Sequence, residues 1–256
     1  MEGAGAGAVT VGRRQLALML AASYAARVPV TGIPLALILV VREDGRSYDV
    51  AGLATGAYTL ALSATAPAIG RLADRVGGPV LFLAGAPVCA AALLALAAGL
   101  AGGSVLALLA LAVVAGGALP PVGALTRGLL TPLLHGDRRA RVFAIDATAQ
   151  ELCFIAGPLL VAGLVALLRP GAALAGLALL LVVGAAGYGA AGRRLARAGR
   201  VEHASQASPL RGGGLRAVLV LAILGGLMFG AMELSVTAAV DEAGDRDRAG
   251  ILLGLW

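Results

Sequence analysis

The feature that most constrains this chain is a succession of apolar runs, each about 20 residues or longer, broken only by short charged segments. A helix that crosses the roughly 30 Å hydrocarbon core needs about 20 such residues, and water-soluble folds have no use for seven of them in a row. Composition agrees, with 59% hydrophobic and 13% charged residues over 256 positions. A soluble domain of ordinary make-up carries about 25% charged residues, and disorder needs low hydrophobicity with high charge. Both classes are excluded. The fold expected is an all-α polytopic membrane protein whose first partner is the lipid bilayer, with no room left for a soluble catalytic domain.

The runs place spans at about Gln15–Val41, Tyr48–Ile69, Pro79–Leu100, Val105–Leu125, Val142–Leu168, Ala172–Ala191 and Ala217–Val240. The longest polar stretch, Arg193 to Arg216, holds six arginines against the single acid Glu202. It divides the chain into a leader over 1–14, a six-helix bundle over 15–191, a central loop over 192–216 and the start of a second bundle over 217–256. The last run, Ala249–Trp256, reaches only about 12 Å at 1.5 Å per residue, so the chain is expected to stop inside an eighth span, as a fragment of a longer protein.

All 20 basic residues are arginine. With the N-terminus inside, 14 of them fall in inner segments, five in outer segments, and Arg27 lies within the first span. Short loops rich in basic residues stay in the cytoplasm, so the N-terminus and the central loop are expected there, in a multi-pass protein of the inner (cell) membrane. Arg13-Arg14 before an apolar run also has the look of a twin-arginine export signal, but no soluble domain follows, and the first span is expected to be retained. The positive charge is too dispersed for nucleic-acid binding. Cys89 and Cys153 sit in apolar runs as small core residues, and no metal site, cofactor site or enzyme active site is expected.

Charges within a span cost about 2.5–3.5 kcal/mol each on insertion scales and are therefore functional candidates. Arg27, Glu151 and Glu233 are the expected substrate or proton-coupling residues. Arg27 and Glu151 lie at similar depth and are expected to form an ion pair. In one reading Glu151 carries a proton, while Arg27 tunes it or binds an anionic part of the substrate; in the other the pair is structural. Glu233 either lines a cavity or faces outer water. Asp146 is expected at the inner surface, against the Arg138–Arg141 cluster. Helix-bending positions are Pro29 and Pro34 in the first span and Gly157-Pro158 in the fifth, with Pro120-Pro121 in the fourth, because such breaks survive in lipid where neighbours satisfy the freed carbonyls. Gly52 and Gly56 have the spacing of a close helix contact.

The segment Gly70-Arg71-Leu72-Ala73-Asp74-Arg75-Val76-Gly77-Gly78 resembles the signature loop of the major facilitator superfamily, G-x-L-a-D-r-x-G-r-k/r. It also has the family's position, cytoplasmic between the second and third spans. Gly78-Pro79 replaces the usual terminal basic residues. The six-plus-one arrangement around a basic loop resembles the family's paired halves. Arg27-Val28-Pro29-Val30-Thr31 lines up with Glu233-Leu234-Ser235-Val236-Thr237, as a parallel repeat would. Gly157-Pro158 resembles part of the exporters' antiporter motif, although Cys153, Val161 and Ala162 stand where that motif has glycines. Arg127 echoes the arginine of the fourth-span motif without its context.

This resemblance implies alternating access around a central cavity lined mainly by spans one, four, seven and ten. It makes Gly70, Asp74, Arg75 and Gly77 a gating loop that latches the inner side. It also points to export of a small-molecule drug or sugar coupled to proton entry. Uptake by a symporter of the same fold, or a truncated protein that transports nothing, are the alternatives.

Overall fold

The computed structural model describes residues 12–198 and 213–242. Every regular element among them is helical. The helices are α1 (Arg13–Glu43), α2 (Tyr48–Val76), α3 (Gly78–Ala97), α4 (Val105–Ala118), α5 (Val122–Leu130), α6 (Gly136–Leu167), α7 (Pro170–Ala198) and α8 (Gly213–Glu242), with a 3₁₀ turn at Thr131–Leu133. Ala249–Trp256 and most of the central loop lie outside the described residues.

Helices occupy all seven places where a span is expected, and five are both long and apolar enough to cross a membrane: Arg13–Glu43, Gly78–Ala97, Val105–Leu133, Gly136–Leu167 and Pro170–Leu195. The second, α2, has 29 residues, about 44 Å of helix, but its apolar character is diluted by threonine, serine and a charged C-terminal end. In α8 the apolar stretch Leu224–Val240 is shorter.

Two element boundaries differ from those expected, each for a local reason. α2 continues through Gly70–Val76, so the signature segment is not a loop: Gly70, Asp74 and Arg75 sit on its last turns. The connection to α3 is reduced to Gly77, whose φ of +91° lies where a Cβ would be strained. α6 begins at Gly136, six residues before the apolar run, because Asp137-Arg138-Arg139-Ala140-Arg141 is built largely of good helix formers. The fourth span breaks as expected: Leu119 and Pro121 are extended, and the paired prolines separate α4 from α5. α1 and α6 instead remain continuous helices through Pro29, Pro34 and Pro158.

α1 lies at the centre, packed on α7, α6, α2 and α5, while α3 bridges α4 and α7. Small residues set these crossings, since backbones approach closely only where side chains are absent. A Cβ on Gly116 of α4 would overlap the Tyr58 carbonyl of α2. A Cβ on Gly32 of α1 would lie 3.0 Å from the Gly157 carbonyl of α6. Gly52 and Gly56 do not make such a crossing. A Cβ on Gly52 would meet only the Leu234 side chain of α8, and one on Gly56 nothing within 4 Å. At the far end of α1, Glu43 Oε2 accepts the Gly171 N–H at 3.1 Å, tying α1 to the first turn of α7.

Candidate functional site: a buried arginine–aspartate–arginine cluster

Polar residues recur every four positions along one face of α1: Ser23, Arg27 and Thr31. Residues four apart on a helix are neighbours on its surface, so a single orientation of α1 aims all three at α5 and α6. On α6 the same spacing aligns Asp146 with Gln150. Where these faces meet, Arg27 Nη2 donates to Asp146 Oδ1 at 2.8 Å and Nη1 donates to Gln150 Oε1 at 3.2 Å. Arg127, six residues into α5, donates through Nε to Asp146 Oδ2 at 2.9 Å. One carboxylate thus bridges two guanidiniums from two other helices.

The pair at the centre is withdrawn from solvent. Arg27 and Asp146 side chains are 4% and 1% exposed, whereas the Arg127 side chain is 49% exposed. The Tyr24 ring lies 5.6 Å from the Arg27 guanidinium carbon, and Tyr24 OH donates to the Ile145 carbonyl at 3.3 Å. Gly123 faces the cluster from α5: a Cβ there would stand 3.7 Å from the guanidinium. One polar atom is left over, since Arg27 Nε is buried without a hydrogen-bond partner. Two cations on one anion give the cluster a formal charge of +1.

A second, neutral layer fastens the site to α7. The Thr126 hydroxyl lies 2.9 Å from Ser23 Oγ, 2.8 Å from the Val122 carbonyl and 3.4 Å from Tyr188 OH. Tyr188 in turn meets Phe82 of α3 edge to face, 5.3 Å between centroids. Farther along α1, the Thr31 hydroxyl lies 2.7 Å from the Cys153 carbonyl of α6. The cluster therefore sits among α1, α5 and α6, with α3 and α7 behind it.

The expected Arg27–Glu151 pair is not formed. Glu151 is exposed, because five residues from Asp146 turn α6 by about 140°, whereas four would leave the two on one face. Asp146 corrects a second expectation. It does not sit at the surface with the Arg138–Arg141 cluster but is fully buried, about 15 Å along a helix that starts earlier than the apolar run suggests. Arg127, noted only as an echo of a motif, is the third member of the site. The four-residue spacing of Ser23, Arg27 and Thr31 on α1 and of Asp146 and Gln150 on α6 is the sequence signal that could have paired Arg27 with Asp146, whereas no spacing in the sequence singles out Arg127 on α5.

The other candidate positions lie apart from this cluster. Asp74 and Arg75 are exposed on α2 and make no ion pair among the described residues. The backbone of Glu233 lies in α8, but its side chain is outside the described residues. Near it, Tyr48 OH donates to the Thr237 carbonyl at 3.3 Å, joining α2 to α8. Gly157 and Pro158 are buried where α6 crosses α1. Among the described residues no group of three or more His, Cys, Asp or Glu could hold a metal ion. Cys89 and Cys153 are buried free thiols.

No curated protein matches this chain at significant similarity. A family model does: that of the Major Facilitator Superfamily, over residues 16–256. Its members are membrane transporters rather than enzymes. The match spans nearly the whole sequence and agrees with the all-helical, multi-span architecture, and the chain belongs to the major facilitator superfamily.

Proposed function

We propose that the protein is a secondary active transporter of the cell membrane that exports a small organic solute by alternating access, in exchange for protons. The observation that supports coupling best is the carboxylate of Asp146, buried and shared by Arg27 and Arg127. An ionised carboxylate is stable at such a place only while its cations stay close. If α1 or α5 shifts and a guanidinium withdraws, taking up a proton removes the uncompensated charge. Solute movement and proton loading would then share one carboxyl group.

Arg27 keeps the coupling role read from the sequence, with Asp146 as the acid that faces it. Glu151 and Glu233, the other acids within apolar stretches, are assigned to solute or proton contact. Gly70, Asp74, Arg75 and Gly77 form the gate at the cytoplasmic side, where the N-terminus also lies. Pro29, Pro34, Gly157 and Pro158 let α1 and α6 flex. Gly157-Pro158, shared with the exporters' motif, favours export over uptake.

The test uses inverted membrane vesicles holding the full-length protein. A proton gradient, acid inside, is expected to drive accumulation of a transported compound. Asp146→Asn is expected to abolish gradient-driven accumulation and leave solute exchange measurable, and Glu151→Gln to weaken accumulation less. Accumulation only in right-side-out vesicles with an inward proton gradient would replace export with uptake. Normal coupling in Asp146→Asn would remove the carboxyl from the mechanism.

A further inference from the structure

We infer that Arg27 and Arg127 form a clamp for the carboxylate of an organic anion, and that Asp146 is the built-in competitor for that clamp. This rests on the transporter reading and names the chemical class of the solute.

The geometry of Asp146 shows what the two guanidiniums accept. Its two oxygens are taken by two different arginines, Oδ1 by Arg27 at 2.8 Å and Oδ2 by Arg127 at 2.9 Å. A planar, two-oxygen, singly charged group therefore fits between them, and guanidinium donors match that shape better than an ammonium would. Charge points the same way. The cluster holds one positive charge more than its own acid cancels, and a monocarboxylate supplies the matching charge.

Two further observations mark the place as a receptor rather than a closed structural bridge. Arg27 Nε is buried with no partner, although guanidinium N–H groups withdrawn from water are ordinarily satisfied. Gly123 places no side chain against the Arg27 guanidinium or the Gln150 amide. The two arginines also differ in access. Arg27 is buried, whereas Arg127 is half exposed and holds Asp146 only through Nε among the described residues. An incoming carboxylate meets Arg127 first, displaces Asp146 from it and sets its second oxygen on the unpartnered Arg27 Nε, while Asp146 keeps its bond to Arg27 Nη2.

The experiment measures binding in detergent and so is independent of coupling and direction. Thermal unfolding of the full-length protein is followed with benzoate and its neutral isostere benzamide, and with hexanoate and hexanamide, at constant ionic strength. At least one acid is expected to raise the unfolding midpoint in a saturable way, while its amide does not. Arg127→Gln is expected to weaken that acid at least about tenfold, because a lost guanidinium–carboxylate contact costs more than the 1.4 kcal/mol of one decade. Arg127→Lys is expected to fall in between, and Arg141→Gln, on an exposed residue outside the cluster, to bind as the parent does.

Asp146→Asn removes the competitor and is expected to bind the acid more tightly, the opposite of what a purely structural ion pair gives. If that variant does not fold, the half-exposed Arg127 positions still decide the question. Equal shifts with acid and amide, no shift with either acid, or unchanged affinity in Arg127→Gln overturn the clamp. Unchanged or weaker affinity in folded Asp146→Asn overturns the competition. Failure of the vesicle experiment with anion binding intact would refute proton-driven export and leave the clamp standing.

Discussion

Asp146 and Arg27 are worth more to the fold together than either is alone. Their desolvation is offset by three directed hydrogen bonds, to Asp146 from both arginines and to Gln150 from Arg27. Removing one member of a buried pair strands the other, at a cost of about 3–5 kcal/mol, whereas replacing both by apolar residues of similar volume is often neutral. Asp146→Leu is therefore expected to destabilise the protein by about that amount, and Arg27→Met with Asp146→Leu to recover most of it. Urea or thermal unfolding in mild detergent measures the cycle, and losses that simply add would show that the pair is not a unit. At this scale the sequence was half legible. It marked Arg27 as a buried charge needing a partner, but chose Glu151 by depth alone. Depth ignores azimuth: about 140° of helical rotation separates Glu151 from the face that meets α1.

At the scale of elements, the crossings are set by residues that lack side chains. The α1–α6 contact places Gly32 against Gly157, and the α2–α4 contact places Gly116 against the Tyr58 backbone. Gly157→Val and Gly116→Val are expected to cost about 1–3 kcal/mol each through forced separation of the helices. Gly56→Ala, where a Cβ meets nothing within 4 Å, is expected to change stability by less than about 0.5 kcal/mol. The same unfolding measurement compares them, and a Gly56 effect as large as the others would mean that the α2 face is packed. The run of small residues was visible in the sequence, but not which glycines touch: Gly52 and Gly56 have the expected spacing and face elsewhere. The early start of α6 was hidden too, because hydropathy marks where a helix becomes apolar, not where it begins.

For the whole molecule, orientation in the membrane is the property to test. The orientation proposed from the arginine asymmetry would put Leu72, at the α2 end, in the cytoplasm and Ser104, before α4, outside. Both positions are exposed, and the native thiols Cys89 and Cys153 are buried, which keeps background labelling low. In intact cells a membrane-impermeant maleimide is expected to label Ser104→Cys and to label Leu72→Cys only after permeabilisation. The reverse pattern would invert the topology and, with it, the assignment of the Asp74–Arg75 segment to the cytoplasmic gate.

Taken by itself, the sequence determined the class of fold, the order of the seven apolar spans found helical among the described residues, the break at Pro120-Pro121 and the family to which the signature segment points. These follow from one-dimensional quantities: the length of apolar runs against bilayer thickness, the missing N–H of proline, and a short string of residues. The tertiary structure alone decided which charges meet. Asp146, Arg27 and Arg127 lie 119 and 19 residues apart along the chain, on three helices whose rotations are set jointly by their glycine crossings and by the Ser23–Thr126–Tyr188 bonds. A helix's rotation about its own axis depends on every neighbour it packs against. Hydropathy along the chain carries little of that information, and for this reason the partner of Arg27 became visible only in three dimensions.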